Sequence, residues 1–337
     1  MVLIAGLVRD WQKIKVINLF ILRIKSVCIQ RIALVALIIS FLLPDIASAY
    51  SGVTIILSAP TTTNLEFVEH FRDELISSKN TALRVKVIDL QETEKLVVAE
   101  NSELVIALGV DALSAASKLK HTTPVIGVFT PLPAFNNLLA SSKRDLGNFS
   151  AIVLDQPYMR QMMLVKSVMP NMRNLGVLLG TNSSQYAELI KDAGERAAIN
   201  VTAEIIMQES ELIPKLNKIL DNNDALMAVP DPLVYSRETA QPILLTSYRH
   251  LKPVFGYSRS YVQAGALAAV YSTTKQLAKQ ATEIAVKSQA APGLLPPPQT
   301  PRYFSVSVNY QVARSLNLTV EDNDKIQKQM LEAELAQ

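Results

Sequence analysis

The stretch Ala225-Leu-Met-Ala-Val-Pro-Asp-Pro-Leu-Val-Tyr-Ser-Arg-Glu238 runs from continuous apolar sequence into an acid between two prolines. A short apolar run bounded by turn residues predicts a fully buried strand. We predict that a helix follows from Leu233, with Asp231 as its N-cap and Pro232 at its first position. Pro242 should end or kink that helix. Buried strands that run into helices are typical of parallel sheets with helices on both faces.

The same pattern of apolar strand and amphipathic helix recurs in both halves of the chain. Segments of helical periodicity separate most of the strands. At roughly 150 residues per domain, the 337 residues accommodate about two such units. We therefore predict an α/β fold of two Rossmann-like lobes, each a doubly wound parallel sheet. The predicted strands span residues 53–57, 85–88, 104–108, 124–129, 151–154, 175–179, 201–207, 225–229, 253–255 and 303–308.

Residues 1–49 differ from the rest of the chain and have the three parts of a targeting peptide. These parts are basic residues, an apolar run and a small-residue site, namely Arg23, Lys25, Arg31, residues 32–43 and Ala47-Ser48-Ala49. They predict a signal peptide that is cleaved after Ala49, and hence a periplasmic or otherwise exported protein. The alternative is an uncleaved N-terminal anchor, although the apolar run is shorter than the ~20 residues that a spanning helix needs.

The positive charge of the chain belongs to this N-terminal segment. Residues 1–49 hold six Lys and Arg against two Asp and Glu, which leaves 27 basic and 28 acidic residues in the remainder. That balance gives no reason to expect binding to nucleic acid. Cys28 is the only cysteine, so the remainder could enter an oxidising compartment without disulfides. Tyr50 stands where a lipoprotein would carry cysteine, and we expect a soluble exported protein.

No catalytic, cofactor or metal motif is found in the sequence. It contains no G-x-G-x-x-G, no P-loop and no G-x-S-x-G. His70, His121 and His250 are far apart, whereas a metal site needs convergent ligands. A Met-rich segment that includes Met159 and Met162 could offer thioethers to Cu(I), but methionine also commonly fills protein cores. We therefore predict no catalytic residue, no metal and no cofactor.

Small and hydroxyl-bearing residues follow the predicted strands. In open parallel sheets, ligands bind outside the carboxyl ends of the strands. Many of these residues are also good helix N-caps, so capping alone is an alternative explanation. They form no carboxylate pair and no nucleophile–base pair, which indicates binding without chemistry. The candidate ligand-binding residues are Ser58, Thr61, Thr62, Val110, Asp111, Phe129, Thr130, Thr181, Asn182, Asp231, Tyr257 and Ser258.

Several segments, taken in order, resemble a known family. They are Asp224-Ala-Leu-Met-Ala-Val-Pro-Asp-Pro232, Pro253-Val-Phe-Gly256, Tyr261-Val-Gln-Ala-Gly-Ala266, Phe304-Ser-Val-Ser-Val-Asn309 and Leu316-Asn-Leu318. Over most of residues 50–320 the chain resembles the substrate-binding proteins of ABC transporters, in the family that includes aromatic-amino-acid binders. It departs from that family at Thr130-Pro-Leu-Pro133 and Gly147-Asn-Phe-Ser150, so the ligand of the first lobe cannot be copied from the family.

The resemblance implies a type I periplasmic-binding-protein fold, with a ligand held between two lobes and no catalysis. Three crossovers should lie near residues 154, 271 and 292–301, and the lobes should close by a hinge motion about them. The proline-rich segment at 292–301 could alternatively be a surface loop. The predicted lobes are residues 50–153 plus 272–292 and residues 154–271 plus 293–337.

Together these observations favour an exported solute-binding protein that delivers a small molecule to an ABC permease in the inner membrane. Arg259, Asp111 and Asp231 are the obvious charges near the loops, which fits a zwitterion such as an amino acid. Asp231 is then a cap alone, or a cap that also contacts the ligand. The alternatives are a sensing or scaffolding protein that signals to a membrane partner and, with less support, an enzyme. We expect a monomer.

Overall fold

The computed structural model describes residues 52–78, 83–290 and 294–335 of the chain. The predicted signal peptide, its cleavage site after Ala49 and Cys28 lie outside the described residues. The strands are β1 Gly52–Leu57, β2 Arg84–Asp89, β3 Leu104–Leu108, β4 Val125–Thr130, β5 Phe149–Val153, β6 Asn174–Gly180, β7 Asn200–Ile206, β8 Ala225–Met227, β9 Val254–Gly256, β10 Ala268–Tyr271 and β11 Ser305–Val308.

Helices alternate with these strands along the chain. They are α1 Thr62–Ser77, α2 Leu96–Ala99, α3 Val110–Ala116, α4 Leu132–Ser141, α5 Tyr158–Val168, α6 Ala187–Arg196, α7 Leu212–Asn222, α8 Arg237–Arg249, α9 Arg259–Gln263, α10 Thr274–Ala290, α11 Tyr310–Ser315 and α12 Asn323–Leu335. Single 3₁₀ turns at residues 93–95, 184–186 and 209–211 precede α2, α6 and α7.

The strands form two sheets, as the alternating pattern predicted. The first sheet has the order β2-β1-β3-β4-β5, and all its neighbouring strands are parallel. The second has the order β11-β10-β9-β8-β6-β7, in which only β11 runs antiparallel to its neighbour. In each sheet the chain order reverses beside the first strand, which is the topology of a doubly wound sheet.

Each sheet is covered by helices on both faces, which explains why its central strands are continuously apolar. In the first sheet, α1 and α10 pack on one face, and α2, α3 and α4 pack on the other. In the second, α5, α6, α11 and α12 cover one face, while α7, α8 and α9 cover the other. Met162 on α5 is fully buried against the second sheet, so packing accounts for that member of the Met-rich segment.

The chain passes between the two sheets at three places. It leaves the first sheet after β5 and enters α5, and it returns between β10 and α10. Residues 294–299 then lie beside the first sheet, where Gln299 bridges Ile152 and Leu295 joins the core of that sheet. The third passage follows, between Gln299 and β11.

One local prediction is wrong: the helix expected from Leu233 begins at Arg237. A capping box sets this start, because the Ser236 hydroxyl accepts from the N–H of Thr239 and the Thr239 hydroxyl accepts from the N–H of Ser236. Pro242 lies inside α8 and does not end it. It is the sixth of the 13 residues of the helix, and its missing N–H removes one backbone hydrogen bond from the helix interior.

Candidate ligand-binding cleft

A cavity of about 590 Å³ lies at the carboxyl ends of strands from both sheets, and we call it the cleft. Its volume is within the usual range of small-molecule sites. Residues after β3, β4 and β5 face residues after β6, β8, β9 and β10 across it. The lining residues are Val110, Pro131, Pro133, Ala134, Asn137, Leu154, Asn182, Pro230, Asp231, Pro232, Tyr235, Tyr257, Ser258, Tyr271 and Ser272.

Asp231 is fixed in the wall of the cleft by donors from the protein itself. Its Oδ1 accepts from the N–H groups of Leu233 and Val234, at 2.9 and 3.2 Å, and its Oδ2 accepts from the Ser183 hydroxyl at 2.7 Å. The Tyr235 N–H donates to the Asp231 carbonyl at 2.8 Å and closes the turn. Asp231 therefore caps one isolated turn, not the long helix that the sequence predicted, and its side chain is 3% exposed.

Gly180, at the end of β6, leaves the space that the Asp231 carboxylate occupies. A Cβ atom on Gly180 would lie 2.3 Å from Asp231 Oδ1, far inside van der Waals contact. The Gly180 N–H donates to the Ser183 hydroxyl at 3.0 Å, and that hydroxyl donates to Asp231. The end of β6, the loop after it and the turn after β8 are thus one hydrogen-bonded unit.

A cluster of tyrosines forms the aromatic wall on the side of the second sheet. The ring centroids of Tyr235 and Tyr257 are 6.2 Å apart and their planes are nearly perpendicular. Tyr261 stands behind both, at 6.1 Å from Tyr235 and 5.4 Å from Tyr257. Burial raises the pKa of the Tyr257 hydroxyl above its ordinary value, because an apolar surrounding disfavours the phenolate. The tyrosine rings therefore give this side of the cleft an apolar, uncharged surface beside the Asp231 carboxylate.

A second buried acid occupies the N-terminus of α4 on the opposite side. Asp155 Oδ2 accepts from the N–H of Leu132, in the first turn of that helix. Burial raises the pKa of this carboxyl above its ordinary value, and the hydrogen bond from Leu132 opposes that rise. The free N–H groups and positive dipole of a helix N-terminus attract anions. Here the Asp155 side chain already accepts a hydrogen bond from one of these N–H groups.

A hydrogen-bond network links the three chain passages beneath the cleft. Gln156 Nε2 donates to the Ser272 hydroxyl at 2.9 Å, and that hydroxyl donates to the Tyr303 carbonyl. Arg160 donates to Gln156 Oε1 at 2.7 Å and to the Pro301 carbonyl at 2.8 Å. Ser272 also lines the cleft, so this residue belongs both to the cleft wall and to the network that links the chain passages.

The twelve sequence-predicted residues divide into two groups by position. The structure brings Val110, Asn182, Asp231, Tyr257 and Ser258 together around the cleft. Ser58 instead accepts from the Ala112 N–H, and Thr61 caps α1 with Thr62 beside it. Asp111 is exposed on α3 and Thr181 is exposed after β6. Phe129 packs edge-on against Phe67, and Thr130 is fully buried in β4.

The sequence reasoning missed lining residues at the chain passages and in the turn after β8. Leu154, Tyr271 and Ser272 lie at the chain passages, and Tyr235 reaches the cleft through the turn that Asp231 caps. The Pro131-Leu-Pro133 segment supplies two more walls at the start of α4. The prolines that flank Asp231 were a usable signal, since both line the cleft.

A second cavity of about 590 Å³ lies at the opposite end of the second sheet. It is formed at the amino ends of the strands, where Asn174 begins β6, Asp224 precedes β8 and Pro253 precedes β9. Ligands of open α/β sheets bind at the carboxyl ends. This cavity also receives no residue from the first sheet, so the cleft is the better candidate site.

Two further observations concern the described part of the chain. Within residues 52–78, 83–290 and 294–335, no three acidic, histidine or cysteine side chains are grouped so that they could hold a metal ion. None of the helices in these ranges has the length and apolar character needed to cross a membrane.

Comparison with known proteins gives one family match and several structures with the same fold. A family model described as ABC transporter substrate binding protein matches residues 68–330. Among curated proteins, none shows significant sequence similarity to the chain. A structure from Streptococcus pneumoniae, solved in complex with L-Trp, is 18% identical with a TM-score of 0.58, and the match covers 82% of this chain and 97% of that one.

Two other solved structures have comparable sequence identity and TM-score to the chain. A ligand-free, open substrate-binding protein with adhesive properties from Clostridium difficile is 17% identical with a TM-score of 0.63, covering 81% of this chain and 96% of that one. A conserved domain protein from Vibrio cholerae is 18% identical with a TM-score of 0.56, covering 81% and 96%. The predicted type I periplasmic-binding-protein fold is therefore confirmed.

Proposed function

The chain belongs to the family of ABC transporter substrate-binding proteins, and we propose that it captures a small molecule in the cleft and delivers it to an ABC permease in the inner membrane. The observation that carries this proposal is the position of the cleft, at the carboxyl ends of strands from both sheets. A ligand held there would contact both halves of the molecule and could stabilise one arrangement of them.

The proposed action is binding without catalysis, by a monomer. Asp231, the acid among the described residues that line the cleft, already accepts three hydrogen bonds from the protein, which is the arrangement of an anchor and not of a proton shuttle. Val110, Asn182, Tyr257 and Ser258 are the predicted residues that we assign to ligand contact, together with the backbone turn that Asp231 holds.

The proposed lobes are residues 50–153 with 272–292 and residues 154–271 with 293–337. Residues 294–299 depart from this division, because they lie against the first sheet and the chain crosses to the second only after Gln299. Closure would be a hinge motion about the three chain passages. Leu154, Tyr271 and Ser272 lie at these passages and also line the cleft, so a change at the hinge would change the shape of the site.

We also propose that the protein is exported, with a signal peptide removed after Ala49. Members of this family are typically extracellular or periplasmic, which supports export. The test is the intact mass of the protein recovered from the exported fraction of cells that express the full chain. A mass that begins at Tyr50 is expected, whereas a membrane-bound product of full mass would support the uncleaved anchor instead.

Ligand capture in the cleft is tested by replacing a small residue of the cleft wall with tryptophan, whose side chain would occupy the space of the ligand. Ala134 lines the cleft on α4, and Ala140 is exposed near the other end of the same helix. The full chain, Ala134→Trp and Ala140→Trp are screened by thermal shift against amino acids, nucleosides, sugars and vitamins, and small molecules that co-purify are identified by native mass spectrometry. A bound molecule raises the melting temperature of the folded state.

We expect a ligand that stabilises the native chain and Ala140→Trp but not Ala134→Trp. A ligand that stabilises all three chains equally would place the site elsewhere. The absence of any stabilising or co-purifying molecule from the native chain would contradict solute capture itself.

A further inference from the structure

Resting on the proposed function, we infer that the cleft selects an uncharged, ring-bearing molecule and rejects the carboxylate of an amino acid. The sequence favoured a zwitterion, because Arg259, Asp111 and Asp231 are the obvious charges near the loops. The described contacts of the cleft give three reasons for a different ligand class: its walls, its occupied N–H donors and its charges.

The walls offer flat and mostly apolar surface. The rings of Tyr257 and Tyr235 stand nearly perpendicular to each other on one side. Prolines at 131, 133, 230 and 232 also line the cleft. Aromatic side chains and prolines bind rings through dispersion and burial of apolar area. Asn182, Ser258 and Ser272 add a small number of neutral polar groups, which can orient a hydroxyl or amide of a ligand.

Four N–H groups beside the cleft already have acceptors within the protein. Asp155 accepts from Leu132 at the start of α4, and Asp231 accepts from Leu233 and Val234 in the turn after β8. The Ser258 hydroxyl accepts from the Tyr261 N–H at the start of α9. A ligand carboxylate at the turn after β8 would meet the Asp231 carboxylate where it needs donors, and like charges at short distance repel.

The charges around the cleft also disfavour an anion. Among the described residues that line it there is no lysine, arginine or histidine, and Asp231 is an acid. Arg259 is a cation beside the cleft. It follows Ser258, it is exposed, and its guanidinium partly opposes the rise that burial causes in the pKa of Tyr271. It does not line the cleft. A carboxylate inside would therefore lose hydration without gaining a paired cation.

A matched pair of fluorescent dyes tests this inference. N-phenyl-1-naphthylamine is uncharged, and 8-anilino-1-naphthalenesulfonate has the same rings with a sulfonate added. Both dyes become fluorescent in apolar surroundings, and both are small enough for a cavity of about 590 Å³. Each is titrated into the full chain, Ala134→Trp, Ala140→Trp and Arg259→Gln, after circular dichroism has shown that all four are folded.

We expect saturable binding of the uncharged dye, at least tenfold tighter than that of the sulfonate. The binding should be lost in Ala134→Trp and kept in Ala140→Trp and Arg259→Gln. Equal or tighter binding of the sulfonate with the same dependence on Ala134 would overturn the inference and leave the cleft as the binding site. A tenfold loss of sulfonate affinity in Arg259→Gln would also overturn it, since Arg259 would then supply an anion contact.

One further outcome separates this inference from the function on which it rests. If neither dye distinguishes Ala134→Trp from Ala140→Trp, the cleft is not an accessible apolar site and the inference fails. Solute capture in the cleft fails only if the ligand screen also finds no molecule that stabilises the native chain and Ala140→Trp but not Ala134→Trp.

Discussion

The Ser183 hydroxyl donates a 2.7 Å hydrogen bond to Asp231 Oδ2, although the two residues follow different strands of the second sheet. Both are almost fully buried. With the N–H groups of Leu233 and Val234, this bond gives the carboxylate three donors in a dry position, where charge-assisted hydrogen bonds are strong. The acid between two prolines is therefore an anchor for the wall of the cleft.

Gly180 and Asp231 should be energetically coupled. Gly180→Ala places a Cβ 2.3 Å from Asp231 Oδ1, and overpacking of this kind costs about 1–3 kcal/mol of unfolding free energy. Asp231→Ala alone leaves three donors without their acceptor, which costs about 2 kcal/mol or more. In the double variant the methyl group enters the vacated space, so its loss should be smaller than the sum of the single losses. Urea unfolding of the four chains measures this, and strictly additive losses would contradict the contact.

Arg160 should contribute more to stability than an exposed arginine with a similar partner. It pairs with Glu334 through two bonds of 2.5 and 3.0 Å and stacks on Phe304 at 4.3 Å, and its side chain is 6% exposed. Arg160→Met should lower the unfolding free energy by about 3 kcal/mol, because it leaves a partly buried acid and the Pro301 carbonyl without a donor.

The matched control is Arg302→Met. Arg302 pairs with Glu283 at 2.8 Å but is 50% exposed, so its loss should cost under about 1 kcal/mol. Urea unfolding at constant ionic strength compares the two variants. Equal losses would show that the network beneath the cleft does not stabilise the fold.

Asp155 should make stability fall as pH rises. Burial raises the pKa of this carboxyl above its ordinary value of 3.8, so the folded chain holds the proton more tightly than the unfolded chain does. Its contribution is therefore complete below about pH 4 and is lost as pH rises through the folded pKa. Asp155→Asn keeps an oxygen for the Leu132 N–H and does not titrate.

The measurement is the unfolding free energy of the native chain minus that of Asp155→Asn, between about pH 4 and pH 7. The difference should decrease as the pH rises towards the folded pKa and level off above it. A constant or increasing difference would mean that the carboxylate is not disfavoured by its surroundings.

Tyr257 should act through its ring and not through its hydroxyl. Its hydroxyl makes one long hydrogen bond, 3.4 Å to the Tyr235 carbonyl, whereas its ring forms part of the cleft wall. Tyr257→Ala should weaken binding of N-phenyl-1-naphthylamine by about tenfold or more, since an aromatic wall contributes about 1 kcal/mol or more beyond simple contact. Tyr257→Phe should bind as the native chain does.

Tyr310→Ala serves as the control for that series, because Tyr310 is exposed on α11, outside the cleft. It should leave dye binding unchanged. A Tyr257→Phe variant that loses as much affinity as Tyr257→Ala would show that the hydroxyl is the group that matters.

The strands could be predicted from the sequence because burial on both faces leaves a simple pattern. The apolar run at residues 104–108 is β3 itself, Leu104–Leu108. The start of α8 could not be predicted in the same way, because Leu233, Val234 and Tyr235 continue an apolar stretch while the capping box lies one turn later. Periodicity indicates which segments are buried, whereas local side-chain bonds decide where a helix begins.

The cleft residues could be predicted where they lie within about two residues of a strand end, in a loop that leads to a helix on the same sheet. Asn182 and Tyr257 meet that condition, and both line the cleft. Tyr235 and Leu154 reach it by way of a turn and a chain passage, whose course depends on packing between distant segments. Thr130, which we expected in the loop, is buried because β4 extends through it.

A crystal structure of the full chain with its co-purified ligand tests solute capture in the cleft most directly. The ligand is first identified by native mass spectrometry and then added in excess during crystallisation. We predict electron density for it between the two sheets, in contact with Val110, Asn182 and Tyr257. Density for the ligand at the amino ends of the second sheet, near Asn174 and Asp224, with the cleft empty, would contradict the account.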